Sequence, residues 1–243
     1  MLTVALVASV GFVTALPVGA QSTTWYVATT GNDDNDGTSW DNAFASIQKA
    51  IDTAEAGNNI EVAAGTYEEQ ITINEDLTIL GIDSPTIKAP DTRSTSTISG
   101  GGDRVYDWVV LVEDVTEFTF DGFIVDGREL GGSVRYVGIL VGDSAGTISN
   151  NGVVNIRGSE GGTGGITVVG NDAAVHIESN VVSNFSKNAI TVNSGAHGVV
   201  ENNTITGGAL DEALAQNGIQ VGFGATGEIK RNSVSLIQYD GEW

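Results

Sequence analysis

Two stretches of this chain hold side chains whose types and spacing suit chemistry. The first runs from Gly31 to Asn42 and reads GNDDNDGTSWDN, four aspartates and three asparagines in twelve residues. Asn32, Asp34 and Asp36, followed by Gly37, match the first half of an Asp-x-Asp-x-Asp-Gly calcium loop, where hard oxygens at alternate positions converge on one cation. The second half of such a loop is missing. Ala43 stands where an EF-hand places its bidentate glutamate, which excludes that motif. The stronger reading is a turn leading into a helix, with Asp41 or Asn42 as N-cap and the acids near the positive helix end. A structural Ca2+ held by Asn32, Asp34 and Asp36 is the alternative.

The second stretch spans Asp103 to Tyr136 and contains DRVYDWVVLVED and VDGRELGGSVRY. Asp107, Asp126, Arg128 and Arg135 are its candidate acids and bases, and Tyr106, Trp108, Glu129 and Tyr136 its candidate ligand-binding groups. Aromatic rings beside charges suit sugar stacking with polar orientation. A solvated loop with ordinary surface ion pairs is the plainer reading. His176 and His197 read as surface residues, and no Gly-rich run has phosphate-loop order, so no organic cofactor is expected. Two sequons, at Asn184 and Asn202, are candidates for glycosylation, Asn202 being the better placed.

Composition narrows the partners. With 31 acidic and 10 basic residues the chain carries a formal charge of −21, which disfavours nucleic acid and anionic lipid surfaces. Acidity of this kind suits a surface kept soluble in high salt or in calcium-rich surroundings. The absence of cysteine excludes disulfides, a thiolate nucleophile and cysteine-ligated metals. Met1 to Ala20 is uncharged, mostly apolar and ends Val18-Gly19-Ala20, which resembles a signal-peptidase site, although it lacks a positive start. Residues 1–20 are therefore expected to be a signal peptide or an anchor, placing the folded part outside the cytoplasm, secreted or on the cell surface.

What must position these groups is visible as a repeat. A small-Ile-x-Val pattern recurs at Gly138–Val141, Gly165–Val168, Ala189–Val192 and Gly218–Val221, with its isoleucines 27, 24 and 29 residues apart. An apolar-x-x-Asn-x-apolar pattern follows each copy, carried by Asn151, Asn180, Asn203 and Asn232. Short alternating segments repeated in one order describe the coils of a solenoid. Asparagine tolerates the left-handed backbone of a sharp corner, and its amide can bond to the next asparagine in the stack. Phe123 takes that position one coil earlier, and Leu77 to Ile82 extends the frame further back, giving about six or seven coils. Phe44, Ile47, Ala50, Ile51 and Ala54 fall on one face of a helix over Asp41–Ala54, stopped by Gly57-Asn58, that would cap the exposed end of the solenoid. The organisation expected is residues 21–57 as strand, acidic turn and capping helix, and 58–243 as coils that continue beyond the given end.

Tyr26-Val27, Gly31-Asn32-Asp33, Asp36-Gly37-Thr38, Phe44, Ile47-Gln48, Ala50-Ile51, Gly65-Thr66-Tyr67 and Leu77 to Gly81 carry a resemblance to right-handed parallel β-helix proteins of the pectin-lyase-like superfamily. The resemblance covers Tyr26 to the end and implies an all-β fold of three-strand coils with an N-terminal capping helix. It leaves activity open, since the superfamily holds lyases, hydrolases, epimerases and adhesins. In its carbohydrate-active members the chemistry sits on the outer face of the first strand of each coil. Leu140, Thr167, Thr191 and Gln220 point outward in this pattern, with Gly138, Gly165, Ala189 and Gly218 read as their small outward neighbours. That face offers no carboxylate and no base. A glycan-interacting or structural module is therefore expected, with a polysaccharide or surface glycan as partner. A Ca2+-dependent polysaccharide lyase or glycoside hydrolase using the 103–136 region or further coils is the alternative, and self-association through a solenoid end a third.

Overall fold

The computed structural model describes residues 22–132, 134–208 and 214–239, so the apolar segment 1–20, expected to be a signal peptide or an anchor, lies outside the described residues. Each coil runs through three short strands in a fixed order, and each strand pairs in parallel with its counterpart in the next coil. The first sheet stacks Ile71–Ile73, Val105–Glu113, Arg135–Gly142, Gly164–Val169, Asn188–Asn193 and Asn217–Val221. The second stacks Thr24–Val27, Asn59–Val62, Thr78–Gly81, Phe118–Asp121, Ala145–Ser149, Ala174–Glu178, His197–Glu201 and Thr226–Lys230. The third stacks Thr66–Glu68, Thr86–Lys88, Ile124–Asp126, Gly152–Ile156, Val181–Phe185, Thr204–Thr206 and Ser233–Ser235.

The repeat read from the sequence sets the register. Ile139, Ile166, Ile190 and Ile219 pair coil to coil, as do Val141, Val168, Val192 and Val221. The first three of each column are fully buried. Each such side chain removed from water contributes about 1.5–3 kcal/mol, an upper bound because the unfolded chain already buries some of it. The small residue before each isoleucine, however, does not face outward. Ala189 is fully buried in the central core, and a Cβ on Gly138 or Gly165 would lie 2.7 or 2.6 Å from Val153 or Val182 of the third sheet. Two consecutive residues turn inward where the chain bends from the third sheet into the first; the close approach of the third sheet leaves room for only a small one at Gly138 and Gly165, whereas Val109 takes the same place one coil earlier.

The asparagines form the expected ladder. Asn151 Nδ2 donates to Asn180 Oδ1 at 3.1 Å, Asn180 Nδ2 to Asn203 Oδ1 at 3.0 Å, and Asn203 Nδ2 to Asn232 Oδ1 at 2.9 Å. Each Oδ1 also accepts the backbone N–H one coil back, and Asn151 accepts that of Phe123 at 2.9 Å. The left-handed residue is not the ladder asparagine but the one before it: Asn150, Ser179, Asn202 and Arg231 have φ of 56 or 57°. That residue makes the corner, which frees the next side chain to point inward. Phe123 continues the stack by packing on Phe120, with ring centroids 4.5 Å apart. Ile82 does not; it is 40% exposed, on a longer corner through the left-handed Asp83 and Ser84.

The N-terminal helix is shorter than its apolar pattern, Ile47–Thr53, with Ile47, Ala50 and Ile51 buried. Neither Asp41 nor Asn42 caps it; both lie in a separate 3-10 turn, Trp40–Asn42. Asp33 accepts from the N–H groups of Ala45 and Ser46 at 2.8 and 2.9 Å, and Glu69 from those of Ile47 and Gln48 at 2.9 and 3.0 Å. Long-range carboxylates thus do what a local cap was expected to do. The turn itself closes on Gly37, at φ 67°, where a Cβ would meet the Phe44 ring at 2.2 Å.

One excursion breaks the coil rhythm. Residues 89–104 leave the third sheet, add the short antiparallel strand Thr95–Thr97 to the start of Val105–Glu113, and lie across the outer face of the first sheet. Arg93 anchors this strap. Its Nε and Nη2 donate to the two carboxylate oxygens of Asp107 at 2.8 Å each, and it also donates to the carbonyls of Pro90 and Leu130. The bond to Asp107 pushes the Arg93 pKa further up, so the guanidinium stays charged. Gln70 adds a reciprocal pair with the Ser94 backbone, and Ser99 donates to Glu113 and Asp143.

Two outcomes follow from this packing. Asn180→Ala orphans the buried Asn151 N–H and the Ile148 carbonyl, and is expected to cost about 2–4 kcal/mol, read as a lowered denaturation midpoint. Arg93→Met leaves Asp107, 6% exposed, as an unpaired buried charge, an expected loss of about 3–5 kcal/mol together with faster proteolysis of the strap. Adding Asp107→Leu to it should restore most of that loss.

Candidate functional site

The outer face of the first sheet is built from three columns of side chains. Parallel register places Trp108, Val137, Gly164, Asn188 and Asn217 in one, and Leu111, Leu140, Thr167, Thr191 and Gln220 in the next. Glu113, Gly142, Val169 and Asn193 make the third. Along the first two columns the chemistry changes from apolar to polar toward the C-terminal coils. The apolar end is covered: Ile98 of the strap packs with Tyr106, Trp108, Leu111, Val137, Leu140 and Val169 in a second hydrophobic cluster. Leu140 points outward as the pattern predicts, but it is buried under this strap rather than presented to solvent.

The polar end forms a pocket of about 280 Å3. Thr167, Thr191 and Gln220 form its floor, with Asn188, Asn193 and Asn217 beside them. Asn217 Nδ2 donates to Asn188 Oδ1 at 2.8 Å and Gln220 Nε2 to Asn193 Oδ1 at 3.2 Å, so the amides are braced coil to coil. The hydroxyls of Thr167 and Thr191 are buried, 5% and 2% exposed, and have no hydrogen-bond partner among the described residues. A buried hydroxyl without a partner costs about 1–3 kcal/mol.

Arg104, Arg135 and Lys187 stand around this floor with Tyr106, and Phe223 sits on the rim. Arg135 lies against Gly162, where a Cβ would fall 1.8 Å from its Nη1. Lys187 Nζ donates to the Ala215 carbonyl at 2.5 Å. Burial pushes the Tyr106 phenol up, which keeps it a hydrogen-bond donor. Among the described residues, none of the three cations has a carboxylate within ion-pair distance, and no carboxylate lines the pocket. In a chain of 31 acids and 10 bases, that grouping sets the pocket apart.

The structure scatters the residues singled out in the 103–136 stretch. Arg135 and Tyr106 pair across neighbouring strands and reach the pocket, whereas Asp107 is bound to Arg93. Trp108 lies beneath the strap, 5% exposed. Tyr136 is fully buried, donating to the Gly127 carbonyl at 2.8 Å under the Arg93 guanidinium, so it is a core residue and not a ligand-stacking one. Asp126, Arg128 and Glu129 form the corner after the third sheet. There Asp126 accepts from the Arg128 N–H and from Asn155, Arg128 pairs with Asp91, and Glu129 accepts from Asn184. The four candidate acids and bases therefore share no site, because alternation and the corner send them to different faces.

Lys187, Asn188, Asn193 and Asn217 were missed, although the asparagines two residues before Ile190 and Ile219 carry a readable signal: outward amides at a fixed offset in the repeat. In the acidic turn, Asn32 accepts from the Asp34 N–H and Asp36 from the Thr38 N–H and hydroxyl, so those oxygens hold the turn together. Of the two sequons, Asn184 Nδ2 donates to Glu129 and Asn155 at 2.7 Å each, while Asn202 is exposed and accepts from Arg231. No helix of the described residues is long and apolar enough to cross a membrane.

Residues 137–241 match the family model of the right handed beta helix region. No curated protein sequence matches the chain. Among solved structures, a GH136 lacto-N-biosidase from Eubacterium ramulus, as its selenomethionine derivative, superposes with a TM-score of 0.51 at 12% identity, over 88% of this chain and 56% of that one. The native form of the same enzyme gives a TM-score of 0.44 at 11% identity, over 87% and 56%. The chain thus spans little more than half the length of that enzyme, and the likeness is one of fold. With its three parallel sheets, internal ladder and matched coils, the chain has the fold of a right-handed parallel β-helix.

Proposed function

We propose that this chain is a glycan-binding module that takes an acidic oligosaccharide in the pocket on the outer face of its first sheet. One observation carries the reading: three cations without acidic partners surround a floor of buried hydroxyls and braced amides, in a chain that is otherwise strongly acidic. Guanidinium groups suit a uronate or sulfate, and the threonine hydroxyls and asparagine amides suit sugar hydroxyls. The net charge of −21 repels anions at a distance, so the attraction is short-ranged and held by contacts rather than by steering. The apolar Met1–Ala20 segment supports an exported location, where such glycans occur.

The neighbouring lacto-N-biosidase has a carbohydrate-cleaving name, but a shared fold does not carry an activity. A lyase would need carboxylates to hold calcium against the uronate, and a hydrolase a carboxylate pair across the bond. The pocket offers neither among the described residues, so binding without cleavage is the reading favoured.

Calorimetry with a uronate tetrasaccharide and a neutral one of equal length tests this. The acidic sugar is expected to bind at least about tenfold tighter, with affinity falling as salt rises. Arg135→Ala is expected to weaken it by about 1.5–3 kcal/mol and Thr191→Val by about 1 kcal/mol. Equal binding of both sugars, or an Arg135→Ala variant that binds like the parent, would sink the proposal. Ultraviolet-absorbing unsaturated products appearing during incubation would replace it with the lyase.

A further inference from the structure

The second sheet carries a separate constellation on its outer face. Val175, Ile177 and Val200 point into the core, so His176, Glu178 and Glu201 alternate outward. His176 and Glu178 lie two residues apart on one strand, and Glu201 is the direct register partner of Glu178 on the next coil. His176 Nε2 lies 3.0 Å from Glu201 Oε1 and 3.8 Å from Glu178 Oε2, and the three donor atoms all fall within 4.8 Å of one another. A tetrahedral centre with bonds of about 2.0–2.1 Å requires donors about 3.3 Å apart, so side-chain adjustments alone would close this triangle.

The charges around Glu201 orient it. Its side chain is 13% exposed, and Oε2 is held by Arg231, with Lys230 Nζ at 4.0 Å. Lys230 is itself drawn away to Glu228 at 2.6 Å. Arg231 therefore engages the far oxygen and leaves Oε1 turned toward His176, the arrangement in which an outer partner fixes a coordinating carboxylate. Thr147, in register before His176, brings no further charge to the cluster.

We propose that His176, Glu178 and Glu201 bind a divalent transition metal of the zinc class, with the remaining position open to water. One imidazole with two carboxylates selects borderline metals over calcium and magnesium, which prefer all-oxygen shells. Because the ligands come from two successive coils, the ion ties those coils together, and binding to the folded state alone raises its stability.

The test uses the full chain with zinc chloride, under excess magnesium that saturates weak carboxylate sites. One equivalent of zinc is expected to bind, to raise the melting temperature, and to shift the His176 imidazole resonances while leaving those of His197. His176→Ala and Glu178→Gln are each expected to weaken binding at least tenfold, and His197→Ala to leave it unchanged. Both ligand positions are on the surface of a strand, and far-ultraviolet circular dichroism of each variant establishes that the solenoid is intact. No stoichiometric zinc binding by the parent, or binding that survives both ligand variants, overturns the site.

Discussion

The structure depends on the buried asparagine stack. A coil of parallel strands leaves no backbone group unpaired along its straight runs, because the next coil takes each N–H and C=O. The corners are the weak points, where the chain turns and the ladder of strand pairing breaks. At the corner between second and third sheets, Asn151, Asn180 and Asn203 close the gap from inside, each bonding to backbone and to its neighbour one coil on. With exposures of 0 or 1%, these amides could not be buried unless every donor and acceptor had a partner. The ladder therefore fixes both the corner and the register, and everything on the outer faces inherits its alignment from it.

That alignment makes the pocket. Parallel in-register pairing turns one outward position per coil into a column, so a change of residue type from coil to coil becomes a gradient along the surface. Leu111 and Leu140 give way to Thr167, Thr191 and Gln220. The strap covers the apolar part, where exposed leucine and tryptophan would otherwise face water, and stops where the column becomes polar. Its anchor, a buried Arg93–Asp107 pair, is held in place by carbonyls as well as by charge, which is what such a pair needs to offset its desolvation.

Charge is distributed with the same economy of position. Arg128, Arg231 and Lys230 are joined to carboxylates at corners and on strands, and Arg93 to Asp107 beneath the strap. Arg104, Arg135 and Lys187 are not so joined among the described residues, and they converge on the one polar floor. Residues far apart in sequence meet there because five successive coils contribute one face.

The sequence alone determined the periodic part of this protein. Period-two alternation, the small-Ile-x-Val repeat and the recurring asparagine specify coils, core columns and ladder, because each depends on local geometry repeated at a near-constant interval. The arrangement of the aperiodic residues was decided only in three dimensions. Nothing local shows that Tyr136 is core, that Asp107 serves Arg93, that Glu69 caps a helix 21 residues upstream, or that residues 89–104 fold back over Leu140. Alternation tells which way a side chain points, but whether it meets water depends on what a distant segment lays over it. The site lies where the regular sheet meets such a segment, which is why its floor was legible and its walls were not.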